Sequence, residues 1–315
     1  MTFTRMSLPT AASTIALALT CSSGMAVAQS TPEKIEQIGL MVQDMSNPFF
    51  SAMEKGAQRA AEAIGATVNV QDAQLDLAAQ HTQIDAFIQQ GVDLIVVSAV
   101  DEAGIAPAIE RAKAASIIVI AVDTPAVGAD AVVMTDAVQA GRVSCEYLFE
   151  QMGGEGQVLL VDGTPIQTII DRITGCKEVA ANYPGIEIVG QQASKNDRAS
   201  GLAVTTDMLT AHPDVTGIFG MNDPSALGAV LAVEQAGKTD QIIVTGVDGS
   251  PEAVEELKRE GSPFVGTATQ SPGVMVERAV QIAQDIIAGN PPTETTVLIP
   301  SELVTRESVA EYAGW

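Results

Sequence analysis

Ten short runs rich in Val, Ile and Leu recur along this chain, and stretches of helical periodicity lie between most of them. They fall at 38–42, 67–71, 94–98, 117–122, 132–134, 158–161, 186–190, 217–221, 242–247 and 264–269. Most are nearly continuous in apolar character, the pattern of parallel strands covered on both faces. Ala52, Gly56, Ala60 and Ala63 give one intervening helix a smooth inner stripe, and Leu77, Ile84, Phe87 and Ile88 give the next its buried face. His81 shares that second stripe and reads as a hydrogen-bonded residue at the core boundary. Regular βα alternation restricts the fold to doubly wound α/β sheets with right-handed crossovers. Ten strands exceed one comfortable sheet of this type, and the pattern restarts near 135–137. Two parallel-sheet lobes are therefore expected, joined by short stiff crossings, since no Gly/Ser linker or low-complexity tract separates them. Gly153-Gly154-Glu155-Gly156 precedes a strand instead of following one and reads as a turn, not a dinucleotide fingerprint.

The first 28 residues read as an export signal. Arg5 is their only charge, 11–19 is an apolar run too short to span a bilayer, and Ala26-Val27-Ala28 has the small-x-small form of a cleavage site. The expected product is a soluble periplasmic protein starting near Gln29. Cys21 follows Ala18-Leu19-Thr20, a poor match to a lipid-attachment site. The formal net charge of −23 argues against nucleic-acid binding, which needs a cationic face. Cys145 and Cys176 remain after cleavage, and an exported location permits a bridge. Both look helical, so a disulfide and two buried thiols stay open. No Cys-x-x-Cys is present and the two histidines lie far apart, so no metal motif and no cofactor is expected.

Polar residues gather where strands end, which is where open α/β sheets bind ligands. Gln43 and Asp44 follow the first strand, and Asn47-Pro48-Phe49-Phe50 opens the next helix with a cap, a first-turn proline and two aromatics. Only 3% of the chain is aromatic, so a Phe pair at that point is notable. Ser98 ends the third strand, Asp123 and Thr124 follow the fourth, and Asp162-Gly163, Asn222-Asp223, Asp248-Gly249 and Gln270 follow later ones, with Arg172 on a helix. Single strand-end aspartates often cap the next helix; so many in both halves exceeds what capping needs. Planar Asp, Asn, Gln and Arg groups make paired hydrogen bonds, and an aromatic ring covers a C–H face. That combination suits an uncharged ligand rich in hydroxyls. An unpaired buried polar group costs roughly 1–3 kcal/mol, so such a ligand needs partners from both sides of a cleft.

In these motifs the chain resembles the ribose-type periplasmic sugar-binding proteins of ABC transporters, whose fold also forms the effector domain of lactose-repressor-like regulators. The resemblance runs from about residue 35 to 298. It rests on Asn47-Pro48-Phe49-Phe50, Val122-Asp123, Asp171-Arg172-Ile173-Thr174-Gly175, His212-Pro213-Asp214-Val215, Met221-Asn222-Asp223 with Ala226-Leu227-Gly228, and Gly246-Val247-Asp248-Gly249. It implies a type I periplasmic binding protein fold with three lobe crossings near Asp136, Gln270 and Pro300. One lobe would hold 29–136 with 271–298, and the other 137–270 with 299–315.

By the same resemblance Asn47 bonds a hydroxyl and Phe49 and Phe50 pack on the ligand. Asp123, Arg172, Asn222, Asp248 and Gln270 supply the other polar contacts, and Gln43 and Ser98 stand where ligand is often touched. Two positions depart from the ribose-type pattern: Thr124 replaces an arginine, and Asn196 stands where many members carry an aromatic. Losing that arginine and one stacking ring points away from ribose and toward a linear polyol, with ring sugars still open. The implied activity is capture by hinge closure, followed by presentation to a membrane permease. The expected state is a monomer with no nucleic-acid partner.

A role in delivering ligand to a chemoreceptor or sensor uses the same cleft and is not separable at this stage. An exported carbohydrate-acting enzyme is the contrasting class. It has the clustered carboxylates in its favour but finds no Gly-x-Ser-x-Gly, His-Glu-x-x-His or phosphate loop. A repressor is not expected, given the export signal and no N-terminal helix-turn-helix.

Overall fold

Alternating strands and helices build two six-stranded sheets in this computed structural model, which describes residues 1–4, 32–312, 314 and 315. Residues 5–28 of the expected export signal, with the expected cleavage site and Cys21, lie outside the described residues. Every helix and strand described lies in the unit Thr31–Trp315. The first sheet is formed from β1 (Gln37–Val42), β2 (Thr67–Asp72), β3 (Leu94–Val97), β4 (Ile118–Val122) and β5 (Ala131–Thr135). Its helices are α1 (Pro48–Ile64), α2 (Leu77–Gln90) and α3 (Ala106–Ala114). The second contains β6 (Glu155–Asp162), β7 (Gly185–Ala193), β8 (Gly217–Gly220), β9 (Ile243–Asp248) and β10 (Phe264–Thr269). With it go α4 (Ala137–Gln151), α5 (Gln167–Ala180), α6 (Arg198–Ala211), α7 (Asp223–Gln235) and α8 (Pro251–Lys258). The chain then runs through α9 (Pro272–Ile287), β11 (Thr296–Ile299) and β12 (Leu303–Thr305).

All ten expected strands are present, eight of them within one residue at each end; β6 starts three residues earlier than expected and β7 ends three later. Two more, β11 and β12, each form one edge of a sheet. The first sheet has the order β11-β5-β4-β3-β1-β2 and is parallel throughout. The second has the order β12-β10-β9-β8-β6-β7 and departs from the all-parallel expectation at one edge, where β12 runs antiparallel to β10. The chain passes between the sheets three times: between β5 and α4, between β10 and α9, and between β11 and β12.

Each sheet is covered on both faces, which is why its strands read as continuous apolar runs. Leu40, Val96 and Ile120 pack with α1 and α9 residues on one side of the first sheet, and Met41, Ile95 and Val119 pack with α2 and α3 residues on the other. The second sheet divides in the same way. His81 Nε2 lies 2.9 Å from the Gly104 carbonyl oxygen, the boundary role its place on the α2 stripe suggested. Among the described residues no helix is long and apolar enough to cross a membrane, and no group of three or more His, Cys, Asp or Glu could hold a metal ion.

The close pairing of α4 and α5 fixes one wall of the site. An added Cβ at Gly141 would lie 1.9 Å from the Arg172 carbonyl oxygen, and one at Gly175 would lie 2.0 Å from that of Val138. Glycine is required at both, because backbone stands where the side chain would be. Cys145 and Cys176 are bonded to each other across the same pair of helices, resolving the alternative the sequence left open.

Candidate functional site

In each sheet the strand order reverses at its first strand, β1 or β6, and ligands of open α/β sheets bind outside such switch points. The residues after β1 and β4 and those after β8 and β9 line one cleft of about 550 Å³ between the sheets. That volume is in the range of small-molecule sites.

From the first sheet come Gln43, Asp44, Asn47, Pro48, Phe49, Phe50 and Asp123. Asn47 caps α1: its side-chain oxygen accepts from the Phe49 N–H at 3.0 Å, and Pro48 occupies the first turn. The cap holds Phe49 and Phe50 edge-to-face with centroids 5.4 Å apart. Both rings are buried in the core beneath the cleft, and both reach its lining.

Asp123 is oriented from behind. Gln43 Nε2 donates to Ser98 Oγ at 3.0 Å, to the Ala99 carbonyl at 3.0 Å and to Thr124 Oγ1 at 2.8 Å. Ser98 and Thr124 in turn donate to Asp123 Oδ2, at 3.5 and 3.3 Å. Oδ1 has no hydrogen-bond partner among the described residues. Ser98 and Thr124 therefore do not line the cleft. The side chain expected at a ligand contact stands one layer back in each case, because both hydroxyls are used to aim the carboxylate.

From the second sheet come Arg172, Asn196, Asn222, Asp248 and Gln270. Arg172 is almost fully buried; its Nη1 donates to the Met221 carbonyl at 2.9 Å and to Asp248 Oδ1 at 3.2 Å. Its Nε is buried with no partner, a donor left over at the edge of a polar cleft. Gln270 Nε2 donates to Asp248 Oδ1 at 2.9 Å, while its Oε1 accepts from Thr135 Oγ1 at 3.1 Å, tying the two sheets together at a crossing. Asn222 caps α7 through Ser225 N at 3.0 Å and donates to the Asn196 carbonyl at 3.1 Å, so much of its side chain serves the protein. Asn196 Oδ1 accepts from Thr164 N at 2.9 Å.

Three of these residues carry left-handed backbone without being glycine: Asp123 at φ 64°, Asn196 at 65° and Asp248 at 141°. Such strain persists only where the surroundings over-determine it, and it clusters at functional sites. The electrostatics are equally concentrated. Burial raises the Asp123 carboxyl to about 6, against the pull of Arg172. Asp223, fully buried behind the cleft and bonded to Thr267 Oγ1 and Ser250 N, is pushed up to about 7 by burial and by Asp248. Burial also raises Asp248, with Arg172 and Gln270 opposing.

The sequence reading missed Trp315, the only tryptophan in the chain, which lines the cleft. Its ring meets Phe49 edge-to-face at 5.7 Å, and its Nε1 donates to the Asp248 carbonyl at 3.0 Å. A lone tryptophan far from any apolar run was the available signal. Leu75, Arg198, Ser250 and Glu252 also reach the lining without having been anticipated.

A family model described as a periplasmic binding protein domain matches residues 38–291. The ribose import binding protein of Bacillus subtilis (strain 168) is 31% identical over 273 residues, covering 86% of this chain and 87% of that protein. A xylitol-binding protein of Mycolicibacterium smegmatis is 28% identical over 308 residues, covering 95% and 85%. Among solved structures, an ABC transporter periplasmic solute binding protein from Actinobacillus succinogenes 130z with bound D-allose superposes with a TM-score of 0.82. It is 30% identical and covers 88% of this chain and all of its own. A solute binding protein from Bacillus halodurans C-125 with bound myo-inositol gives a TM-score of 0.78 at 29% identity, covering 90% and 99%.

Proposed function

From the premise that this chain belongs to the periplasmic binding protein family, we propose that it is the substrate-binding component of a carbohydrate ABC importer and takes a sugar or polyol into the cleft between its sheets. One observation carries the reading. Asn47, Asp123, Arg172, Asp248 and Gln270 converge with Phe49, Phe50 and Trp315 on a single 550 Å³ cavity. Paired polar groups there answer adjacent hydroxyls, and the rings cover C–H faces. Relatives are named for ribose and xylitol, and similar structures hold D-allose and myo-inositol, all ligands with adjacent hydroxyls.

The ligand enters the open cleft, bridges the lobes 29–136 with 271–298 and 137–270 with 299–315, and favours their closed arrangement. The closed protein is then presented to a membrane permease from the periplasm. No bond of the ligand is made or broken. A thermal-melt screen over pentoses, hexoses and polyols tests the reading. A ligand at a hundred times its Kd adds about 2.7 kcal/mol of stability. A melting temperature indifferent to every carbohydrate in the screen would overturn it.

The site also sets a pH dependence. Asp123 titrates near 6 in the fold and near 3.8 when unfolded, so the folded protein holds this proton the more tightly. Its stabilising contribution is complete below about pH 4 and is lost as pH rises through about 6. Ligand hydroxyls donate to the ionised carboxylate and reverse that loss. Affinity is therefore expected to rise about tenfold between pH 5 and 7.5. Calorimetry at both values checks this, with Asp123→Asn isolating the contribution from Asp223 and Asp248. Equal affinities at the two pH values in the unmodified protein count against it.

A further inference from the structure

Resting on the cleft described above as the ligand site, we propose that Trp315 is a specificity-determining wall of that site and, with Tyr312, the clamp that holds Asp248 in its binding posture. Asp248 and Gly249 form a strained turn, with φ of 141° and 69°. Their two consecutive carbonyls each accept a bond from an aromatic donor beyond β12. Trp315 Nε1 bonds the Asp248 carbonyl at 3.0 Å, and the Tyr312 hydroxyl bonds that of Gly249 at 3.2 Å. Tyr312 leans from the core of the second sheet, whereas the Trp315 ring packs with the core of the first, against Phe49. The turn that carries a site carboxylate is thus pinned from both halves of the molecule.

The indole also partitions space. A second cavity of about 350 Å³ lies beside the cleft, and among the described residues only Gln270 and Trp315 line both. Gln270 is fixed by Asp248 and Thr135. Trp315 therefore stands between the cleft and its neighbour and contributes to the lining of each. Asn196 presents no ring to the cleft, so the indole is the aromatic surface available to a ligand besides Phe49 and Phe50.

Calorimetry with D-ribose, D-allose, xylitol and myo-inositol tests this on the full mature chain. Trp315→Ala removes both the ring and the N–H, and is expected to weaken the best-bound probe about tenfold. Trp315→Phe keeps a ring and loses the donor, with a loss of about threefold. Tyr312→Phe deletes only a hydroxyl outside the cleft and still costs about twofold. The lone tryptophan should also change its emission when the unmodified protein is saturated, a readout that needs no variant. Wild-type affinity in both Trp315 variants, or emission unmoved in protein that calorimetry shows to be saturated, overturns the wall. Wild-type affinity in Tyr312→Phe overturns the clamp. An unmodified protein that binds none of the four probes defeats the sugar-or-polyol reading first, and this inference with it.

Discussion

Replacing Arg172 by Met is expected to abolish useful ligand capture, with affinity falling at least about 100-fold, and to destabilise the empty protein by several kcal/mol. Arg172 is the buried counter-ion of Asp248, its side chain only 4% exposed against 14% for the carboxylate. It also opposes the burial that raises Asp123. Removing one partner of such a pair leaves a carboxylate in a poor solvent, at roughly 3–5 kcal/mol. The orphaned Nε donor disappears as well. Hydrogen bonds to charged groups contribute about 1.5–3 kcal/mol each, so losing one or two accounts for a hundredfold. Arg172→Lys keeps the charge but not the planar fork, and should recover stability more than affinity. Titration calorimetry and a melt on the three proteins check this. Arg172→Met binding within tenfold of the unmodified protein would remove Arg172 from the ligand.

Breaking the Cys145–Cys176 bridge, by reductant or by Ser at both positions, should lower stability by roughly 3–4 kcal/mol. The separation of 31 residues gives that figure through the entropy of the unlinked unfolded chain. For a protein of this size it corresponds to a fall in Tm of about ten degrees. A second effect follows from position. Cys176 lies one helical turn beyond Arg172 on α5, and the glycine contacts that seat α5 against α4 flank the bridge. Affinity should therefore weaken with stability. A melt in the presence and absence of reductant is sufficient, and an unchanged Tm would show that the bridge does not restrain the fold.

The strand-end polar groups were legible because a parallel sheet forces the chain to leave each strand at the same edge, so position along the sequence already fixes position in the cleft. Ten of the cleft-lining side chains named from the sequence reach it: Gln43, Asn47, Phe49, Phe50, Asp123, Arg172, Asn196, Asn222, Asp248 and Gln270. Depth was not legible. Ser98 and Thr124 sit at strand ends too, but short hydroxyls reach Asp123 before they reach the cavity. Strands β11 and β12 escaped because they are edge strands of four and three residues, β11 being no more than half-buried, and short runs like Val297-Leu298-Ile299 and Leu303-Val304 are weak signals on their own. Trp315 escaped because the contact between it and Phe49 spans nearly the whole chain, and no local pattern records such a pairing. Its presence also weakens one of the two premises for favouring a linear polyol, the loss of a stacking ring at Asn196; the other, Thr124 in place of an arginine, stands.

One edge of each sheet comes from the stretch after α9: β11 completes the first sheet and β12, which begins four residues after β11 ends, completes the second. Neither sheet is complete until that segment has paired with it, however early its first strands meet. Loss of the segment that follows α9 would therefore leave both sheets with an uncovered edge at once.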